Sequence, residues 1–349
     1  MNRKLLFLCP TKVLCGLLLA CACKGQAEQM NLEIRIRPGS EVVGLPLQHP
    51  AVLEGQIAAI QSALTIKVRH SSSVTSGASI PACPCYLIIT GPVGHPHEGD
   101  RMELDETASR AGVDGELVLE SSPLNTVAST DSSWIGAEYA VIPHWTLQSV
   151  LGEIIHHHLS LPNAYSPMFW IPLGGGNNQK IIPRLTQPPN PRIVWTLEKR
   201  SVWPSDKTIL PPGHAFLMKS MDPYGFGLSL GGDRRQTPCR VPLEAGPNLV
   251  SYPFADDLRL GVDWGRADNG LIGSSSPTSC DRIYIYAGDD LLIYGLEASG
   301  QWLRISGWST PSVRWDVSRP ALSTIPAGQG FVLFKLKSDP LHIFRPPQP

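Results

Sequence analysis

Histidines form the pattern in this sequence that most invites a chemical interpretation. His95 and His97 have the spacing of the HxH strings of metallohydrolases, within the segment HPHEGD at 95–100. The acidic residue and final histidine of such strings are out of place, and the Gly and Pro content favours a hairpin loop instead. The consecutive histidines at 156–158 would point about 100° apart on a helix, so they cannot share one ion. We therefore predict no metal site, with His95 and His97 as the candidate ligands if one exists.

Other motifs for catalysis or cofactor binding are missing from the sequence. It has no Gly-x-Ser-x-Gly nucleophile elbow. The glycine runs at 174–176 and 231–232 are not followed by Lys-Ser or Lys-Thr, as a phosphate loop requires. The acidic residues between 256 and 268 lack the spacing of a calcium loop. The sequence thus predicts no catalytic residue and no cofactor.

Tryptophan is the remaining candidate for ligand contact, with nine residues in a chain of low charge. Exposed aromatic rings can stack on sugars or line a protein groove at low cost in entropy. Trp195 and Trp302 occupy equivalent places in a repeat described below, which favours the core for both. Trp264 and Trp308 lie in turn-rich stretches and are the predicted stacking residues. Core packing is the alternative for each of them.

The N-terminus has the three parts of a secretory signal. Three basic residues precede an apolar run at 13–22, and small residues follow it. The run has ten residues, whereas a helix that crosses a bilayer needs about 20. We predict a signal peptide at 1–22, with its end between 20 and 27. Two processing routes stay open. One is simple cleavage by a signal peptidase at the small residues. The other is lipidation, because Leu-Leu-Ala-Cys resembles a bacterial lipobox that would place a lipid on Cys21.

Beyond the signal region, the chain keeps four of its eight cysteines, Cys83, Cys85, Cys239 and Cys280. An exported protein meets an oxidising compartment, which permits disulfides. The Cys-Pro-Cys segment is not a redox CxxC motif, and its two thiols can hardly pair without strain. A bridge between Cys239 and Cys280 is compatible with the sequence, but spacing does not assign the pairing. The paired spacings of a zinc site are absent.

Composition excludes some functional classes and favours a β fold. Lys and Arg number 29 and Asp and Glu 30, for a net charge of −1, which excludes the basic surface of a nucleic-acid-binding protein. The 32 glycines and 33 prolines suit a chain with many turns. One amphipathic helix is predicted at 146–159, with Thr146 as its N-cap. Short runs rich in β-branched and aromatic residues predict strands at 32–37, 64–68, 86–90, 116–120, 282–286, 291–294 and 331–335.

Two parts of the chain repeat the same succession of turns and strands. A glycine turn leads into a strand that ends at proline, at 39–46 and again at 246–253. A Pro-x-Gly turn leads into a closing strand, at 211–213 and again at 326–328. Glycine supplies turn dihedrals that other residues avoid, and proline is tolerated at strand ends. Self-similarity of this kind indicates a tandem repeat.

Between these markers, Trp195 matches Trp302, and the strand at 168–171 matches 283–286. We therefore predict a mainly β protein made of two tandem sandwich-like or barrel-like repeats, with an inserted strand region and one short helix. The predicted boundaries are 30–232 for the first repeat, about 56–145 for its insertion and 240–346 for the second repeat.

The repeat openings, the AVIPHWTL segment at 140–147 and the Pro-Gly turns resemble an uncharacterised family of exported bacterial proteins. Its members have a signal peptide, a G-x-x-x-V-x-x-P strand opening each half, an I-I-P-x-W-T-L segment before a helix, and a Pro-Gly strand closing each half. The likeness covers nearly all of the mature chain. It implies export and a two-repeat β architecture, and it implies no catalytic residues. The Cys-Pro-Cys and triple-histidine segments depart from the family pattern.

We therefore expect an exported protein of the periplasm, the outer envelope or the extracellular space, structural or ligand-binding rather than enzymatic. A polysaccharide or an envelope protein is the expected partner, and nucleic acid is not. A membrane would be reached only through a lipid on Cys21. The alternative is an exported hydrolase that uses a metal held by His95 and His97.

Overall fold

The computed structural model of the chain describes residues 28–70, 80–110, 114–122, 125–159, 167–174, 177–185, 193–197, 202, 204, 207–220, 225–288, 290–308, 310 and 312–346. The predicted signal peptide at 1–22 and the lipid-acceptor candidate Cys21 lie outside these residues. Within the described ranges, no helix has the length and apolar character needed to cross a membrane.

The described residues form strands β1 to β26 and one α-helix. The strands before the helix are β1 (Gln29–Ile36), β2 (Gly39–Gly44), β3 (Leu47–Gln48), β4 (Leu53–Ser62), β5 (Thr65–His70), β6 (Cys85–Gly91), β7 (Arg101–Leu104), β8 (Asp114–Val118), β9 (Glu138–Pro143) and β10 (Trp145–Thr146). The helix α1 spans Leu147–Leu159. The next strands are β11 (Met168–Gly174), β12 (Asn177–Leu185), β13 (Ile193–Leu197), β14 (Ile209–Leu210), β15 (Ala215–Ser220), β16 (Phe226–Arg234), β17 (Cys239–Leu243), β18 (Gly246–Ser251) and β19 (Leu258–Arg259). The last strands are β20 (Arg282–Ala287), β21 (Asp290–Leu296), β22 (Trp302–Ser306), β23 (Arg314–Trp315), β24 (Thr324–Ile325), β25 (Gly330–Lys335) and β26 (Asp339–Phe344).

The mainly β class predicted from the sequence is confirmed, and the predicted helix begins where its cap requires. Each predicted run overlaps an observed strand. Thr146 precedes α1, and its hydroxyl accepts a hydrogen bond from Ser149 N–H at 3.1 Å, which satisfies one of the free donors of the first turn. Leu147, Leu151 and Ile155 lie on one face of α1 and are buried. That face fixes the helix against the strands of the first module.

The first module consists of α1 and three antiparallel sheets. Its largest sheet has the order β13-β12-β11-β15-β2, a second has the order β1-β16-β3, and β10 pairs with β14. Side chains from the helix and from these strands share one hydrophobic core, in which Phe169 and Trp195 are buried. The ring centroids of these two residues are 5.7 Å apart in an edge-to-face arrangement, a favoured geometry for aromatic pairs.

The second module has a similar strand arrangement, and its described residues include a 3-10 helix at Ala267–Asn269 but no α-helix. Its largest sheet has the order β18-β25-β20-β21-β22-β23, and two smaller sheets pair β17 with β26 and β19 with β24. Its own hydrophobic core contains Trp264, Trp302 and Phe331. Each module therefore has the independent core that a folding unit needs.

From one edge of the sheet to the other, the large sheets of the two modules have corresponding strands in the same positions. The strands β2, β15, β11, β12 and β13 correspond to β18, β25, β20, β21 and β22. The register agrees as well, since Gly39 faces Ser220 on one sheet and Gly246 faces Lys335 on the other. This common pairing scheme supports the tandem-repeat interpretation, which itself stays a prediction.

The strand register confirms one of the two residue matches predicted between the repeats and contradicts the other. Trp195 and Trp302 hold the same register position on β13 and β22 and are 2% and 1% exposed, which confirms both as core residues. The predicted match between β11 and β20 is wrong by one residue, because the register aligns Met168 with Arg282 and not with Ile283. Side chains alternate along a strand, so this shift exchanges the two faces.

Between β3 and β10 the chain inserts a separate barrel made of β4 to β9. It spans Leu53 to Pro143, close to the insertion predicted at about 56–145, and its strand order is β7-β6-β9-β4-β5-β8. A bridge joins Leu104 of β7 to Leu119, the residue that follows β8, so the two outer strands meet and the sheet closes on itself. Aliphatic side chains fill the interior around Trp134.

The two modules meet through matched backbone contacts. Gly44 N–H donates to Gly328 O at 2.8 Å, and Ser251 N–H donates to Gly213 O at 3.0 Å. Gly213 and Gly328 have φ values of 80° and 79°, a conformation that glycine adopts without steric cost. The Pro-x-Gly turn of each module therefore contacts the opening strand of the other.

A substitution at Gly330 tests how tightly the two modules pack against each other. A Cβ at this position would lie 2.7 Å from Ala215 Cβ and 2.7 Å from Val42 Cγ1. We expect Gly330→Ala to lower the free energy of unfolding by about 1–3 kcal/mol, because overpacking forces the neighbours to move. Gly227→Ala is the control, since a Cβ there would meet only Glu33 Oε2 at 3.7 Å. Equal midpoints of chemical denaturation for the two variants would contradict a tight interface.

Candidate functional site

Two segments of the barrel lie together at one of its ends. The first is the loop at 92–100 that joins β6 to β7, here called the β6–β7 loop, as the sequence predicts. The second is a 3-10 helix at Ser132–Trp134, shortly before β9. Gly91 at the end of β6 faces Glu138 at the start of β9. The pairing of these strands brings the loop and the 3-10 helix into contact.

Ser133, His97 and Asp100 form a chain of polar contacts at this end of the barrel. Ser133 Oγ lies 2.8 Å from His97 Nε2, and His97 Nδ1 lies 2.6 Å from Asp100 Oδ2. Ser133 is exposed, the His97 side chain is 22% exposed, and the Asp100 side chain is fully buried. An accessible hydroxyl, a histidine and a buried carboxylate in this order can act as nucleophile, base and orienting group.

Two glycines shape the β6–β7 loop so that the side chains of His97 and Asp100 come into contact. Gly94 and Gly99 have φ values of 83° and 86°, which favour glycine. A Cβ at Gly99 would lie 2.8 Å from Pro238 O, so the loop packs closely on the second module. Asp100 N–H donates to His97 O at 2.8 Å. This turn places the two side chains three residues apart within contact distance.

Asp100 is buried, and a charged group and a hydroxyl from two other segments approach one of its carboxylate oxygens. Arg240 Nη1 lies 3.1 Å from Asp100 Oδ1, and the Thr126 hydroxyl donates to the same oxygen at 3.5 Å. Burial raises the pKa of this carboxyl above its ordinary value, and the charges of Arg240 and His97 oppose that rise. The contacts therefore offset part of the cost of burying an ionised group.

Asp131 covers the backbone beside the candidate nucleophile. Its Oδ1 accepts a hydrogen bond from Ser133 N–H at 2.9 Å, and this bond holds the pKa of Asp131 below its usual range. The next residue, Trp134, is fully buried, and its ring centroid is 6.0 Å from that of His97. The cap and the buried ring together fix the position of the 3-10 helix.

The structure places the two candidate metal ligands side by side but engages them with other groups. His95 Nε2 lies 3.2 Å from Ser133 O, and both ring nitrogens of His97 contact Asp100 and Ser133. Among the described residues, no group of three or more His, Cys, Asp or Glu is arranged to hold a metal ion. The side chains of the histidines at 156–158 lie outside the described residues.

The two predicted stacking residues, Trp264 and Trp308, lie in different surroundings. Trp264 is 1% exposed, and its ring centroid is 5.2 Å from that of Phe344 in the core of the second module. Its prediction as a surface residue is therefore wrong. Trp308 is 37% exposed, but the guanidinium carbon of Arg282 lies 4.5 Å from its ring centroid. A cation–π contact thus occupies one face of this ring.

The four described cysteines, Cys83, Cys85, Cys239 and Cys280, are free thiols. The bridge considered for Cys239 and Cys280 is therefore not formed. Burial raises the pKa of Cys280 to about 11, and it also raises the pKa of Cys85. Since the thiolate is the reactive form, these two thiols are poor nucleophiles at neutral pH.

Searches of protein-family models, of curated proteins and of solved structures found no match to this chain. The resemblance to an exported bacterial family therefore stays a prediction.

The sequence patterns alone do not identify Ser133 or Asp100. Ser133 stands in the stretch TDSSW, without the flanking glycines of a nucleophile elbow. The available signal is the spacing of His97 and Asp100 across Gly99, where a glycine turn brings positions i and i+3 together. Nothing in the sequence connects that turn with position 133, because the contact depends on the pairing of β6 with β9.

Buried polar groups also join the barrel to the points where the chain returns to the first module and where it leaves that module. His144, which follows β9, has its Nε2 2.5 Å from Glu103 Oε2 on β7. Arg235, which follows β16, donates to the Tyr86 hydroxyl on β6 at 2.8 Å. Burial raises the pKa of Glu103, but His144 and Arg101 outweigh it, so the pKa lies below its ordinary value.

The half-buried His214 makes stability depend on pH. Burial, and then the charge of Arg101, lower its pKa from 6.5 to about 3. Between these values the unfolded chain binds a proton that the folded chain does not, so the free energy of unfolding falls as pH decreases. We expect His214→Gln to remove up to about 1.4 kcal/mol per pH unit of this slope between pH 6 and 4. Denaturation at a series of pH values measures it, and parallel curves for the two proteins would contradict the assignment.

Proposed function

We propose that this protein is an exported hydrolase that cleaves an ester or amide bond with Ser133 as its nucleophile. The observation that carries the proposal is the pair of contacts, 2.8 and 2.6 Å long, that runs from Ser133 through His97 to Asp100. The signal-like segment at 1–22 supports export. The geometry therefore favours the hydrolase alternative, with a serine nucleophile in place of a bound metal.

In the first half of the reaction, Ser133 Oγ attacks the carbonyl carbon of the substrate. His97 Nε2 accepts the hydroxyl proton as the new Oγ–C bond forms. The bond to the alcohol or amine then breaks, and His97 returns the proton to this leaving group. The acyl group stays on Ser133 as an ester.

In the second half, water takes the place of the leaving group. His97 Nε2 accepts a proton from the water molecule while its oxygen attacks the acyl carbon. The Oγ–C bond breaks, and His97 returns the proton to Ser133 Oγ. A carboxylic acid leaves, both side chains regain their starting state, and the reaction consumes only the substrate and one water.

Asp100 has the role of orienting the base. Its Oδ2 accepts from His97 Nδ1–H, so the other ring nitrogen, Nε2, faces Ser133 without a proton. The carboxylate also stabilises the positive charge that the ring gains after accepting the serine proton. Its complete burial strengthens both effects, since water does not compete for the contact.

Asp131 occupies a backbone donor that could stabilise the oxyanion of the tetrahedral intermediate. Backbone N–H groups are the usual donors to this oxygen. In the free protein, Ser133 N–H donates to Asp131 Oδ1 instead. Asp131 is exposed, so water can solvate its carboxylate when a substrate displaces it. Substrate binding would thus uncover the donor.

Two exposed apolar side chains belong to the two segments that carry the candidate site. Val93, in the β6–β7 loop, is 94% exposed, and Ile135, two residues after Ser133, is 53% exposed. Both lie at the end of the barrel where β6 and β9 pair. An apolar acyl group would bury area against them, worth about 25 cal/mol per Å². Esters with apolar acyl chains are therefore suitable test substrates.

We expect the purified protein to hydrolyse p-nitrophenyl butyrate and to react with a fluorophosphonate probe at Ser133. Ser133→Ala should abolish labelling, because the attacking oxygen is lost. His97→Gln and Asp100→Asn should lower kcat by about 10²–10⁴-fold, the usual contribution of a positioned general base. Steady-state kinetics and mass spectrometry of the labelled peptide measure these effects.

Ser132→Ala is the matched control, since it removes a neighbouring exposed hydroxyl and leaves the three proposed groups intact. It should keep both the rate and the labelling of the wild type. A wild-type rate in Ser133→Ala, or a wild type that is neither active nor labelled, would refute the proposal. The structural or ligand-binding function expected from the sequence would then be the one to pursue.

A further inference from the structure

We infer that Arg240, a residue of the second module, positions His97 and Asp100 for this reaction. The inference rests on the hydrolase function proposed above. Arg240 lies on β17, where it pairs with Ile343 of β26. Its side chain leaves that sheet and contacts the β6–β7 loop of the barrel. The loop that supplies the base is thus held from a different part of the fold.

The guanidinium of Arg240 contacts three groups of the β6–β7 loop. Its Nη1 lies 3.1 Å from Asp100 Oδ1, its Nε donates to Glu98 O at 3.0 Å, and its Nη2 donates to Pro96 O. These are alternate residues of the loop, and His97 lies between the two whose carbonyls are bound. The backbone of the proposed base is therefore fixed on both sides.

The shape of the guanidinium makes this arrangement specific. Its donors point in a rigid planar fork, so three acceptors are held in one fixed relation to each other. A lysine ammonium carries the same charge on a flexible stem and would keep one contact at a time. The Arg240 side chain is 15% exposed, so water offers little replacement for a lost contact.

Arg240 also supplies charge to the buried carboxylate. The charges of Arg240 on β17 and His97 in the loop both favour the ionised form of Asp100. Asp100 uses one oxygen for each of them. Without Arg240, a carboxylate in this setting would favour its protonated form, which is a weaker acceptor for His97. The planar shape and the positive charge of the Arg240 guanidinium therefore both support the contact between Asp100 and His97.

The test compares Arg240→Lys with Arg259→Lys in the full chain. Arg259 also belongs to the second module, where its Nε and Nη2 donate to Asp263 of the same module at 3.0 and 2.7 Å. The substrate is p-nitrophenyl butyrate, and the fluorophosphonate probe counts active sites, so that kcat is not affected by loss of folded protein. Hydrogen exchange of peptides covering 92–100 reports on the loop without reference to activity.

We expect Arg240→Lys to lower kcat about 10- to 100-fold with KM within about twofold of the wild type, because the base is misplaced while the substrate surface is kept. Exchange of the Gly99 and Asp100 amides should accelerate, since both donate hydrogen bonds within this end of the barrel. Arg259→Lys should change neither quantity. Wild-type kcat in Arg240→Lys would overturn the inference while the wild type itself remains active.

A wild type without activity or labelling would instead show that the proposed function is wrong, and it would remove the positioning role with it. Hydrogen exchange separates that result from a failure of the contact itself. Faster exchange in Arg240→Lys alone would then assign Arg240 a purely structural role. Unchanged exchange would show that the guanidinium does not hold the loop at all.

Discussion

A carboxylate removed from water is stable only when charged or hydrogen-bonding groups replace the solvent it has lost. Asp100 meets this requirement with His97 on one oxygen and Arg240 on the other. Because Asp100 belongs to the barrel and Arg240 to the second module, the contact that compensates the charge also joins two units of the fold. Loss of either partner would leave the other charge buried without compensation, which is the costlier state. The position of His97 depends on this pair.

Other buried polar groups of the barrel extend the same constraint to the first module. Glu103 of the barrel contacts His144 where the chain returns to that module, and Tyr86 of the barrel contacts Arg235 where the chain leaves it. Apolar surfaces tolerate several relative orientations, whereas buried polar groups are favourable only in the geometry that pairs them. The barrel and the two modules therefore have one preferred relative arrangement. The candidate site lies where the barrel meets the second module.

Local features were predictable from the sequence because each depends on neighbouring residues. The strands, the start of α1 at Thr146 and the glycine turns all follow from short-range patterns. The core positions of Trp195 and Trp302 followed from comparing two parts of the chain with each other. The failures concern distant contacts. Trp264 was misassigned because turn-rich segments occur both on the surface and folded over a core. The contact of Ser133 with the β6–β7 loop depends on strand pairing, which composition and spacing do not specify.

The position of the barrel is compatible with the folding of the first module around it. In the second module, the six residues at 252–257 separate β18 from β19. The barrel lies in the corresponding interval of the first module, between β2 and β10. Its ends are adjacent, since Leu53 at the start of β4 faces Val141 near the end of β9. Closing a loop around such a unit costs little more than closing a short one. The first module thus carries the barrel while Arg240 of the second holds its loop, so the candidate site requires all three units.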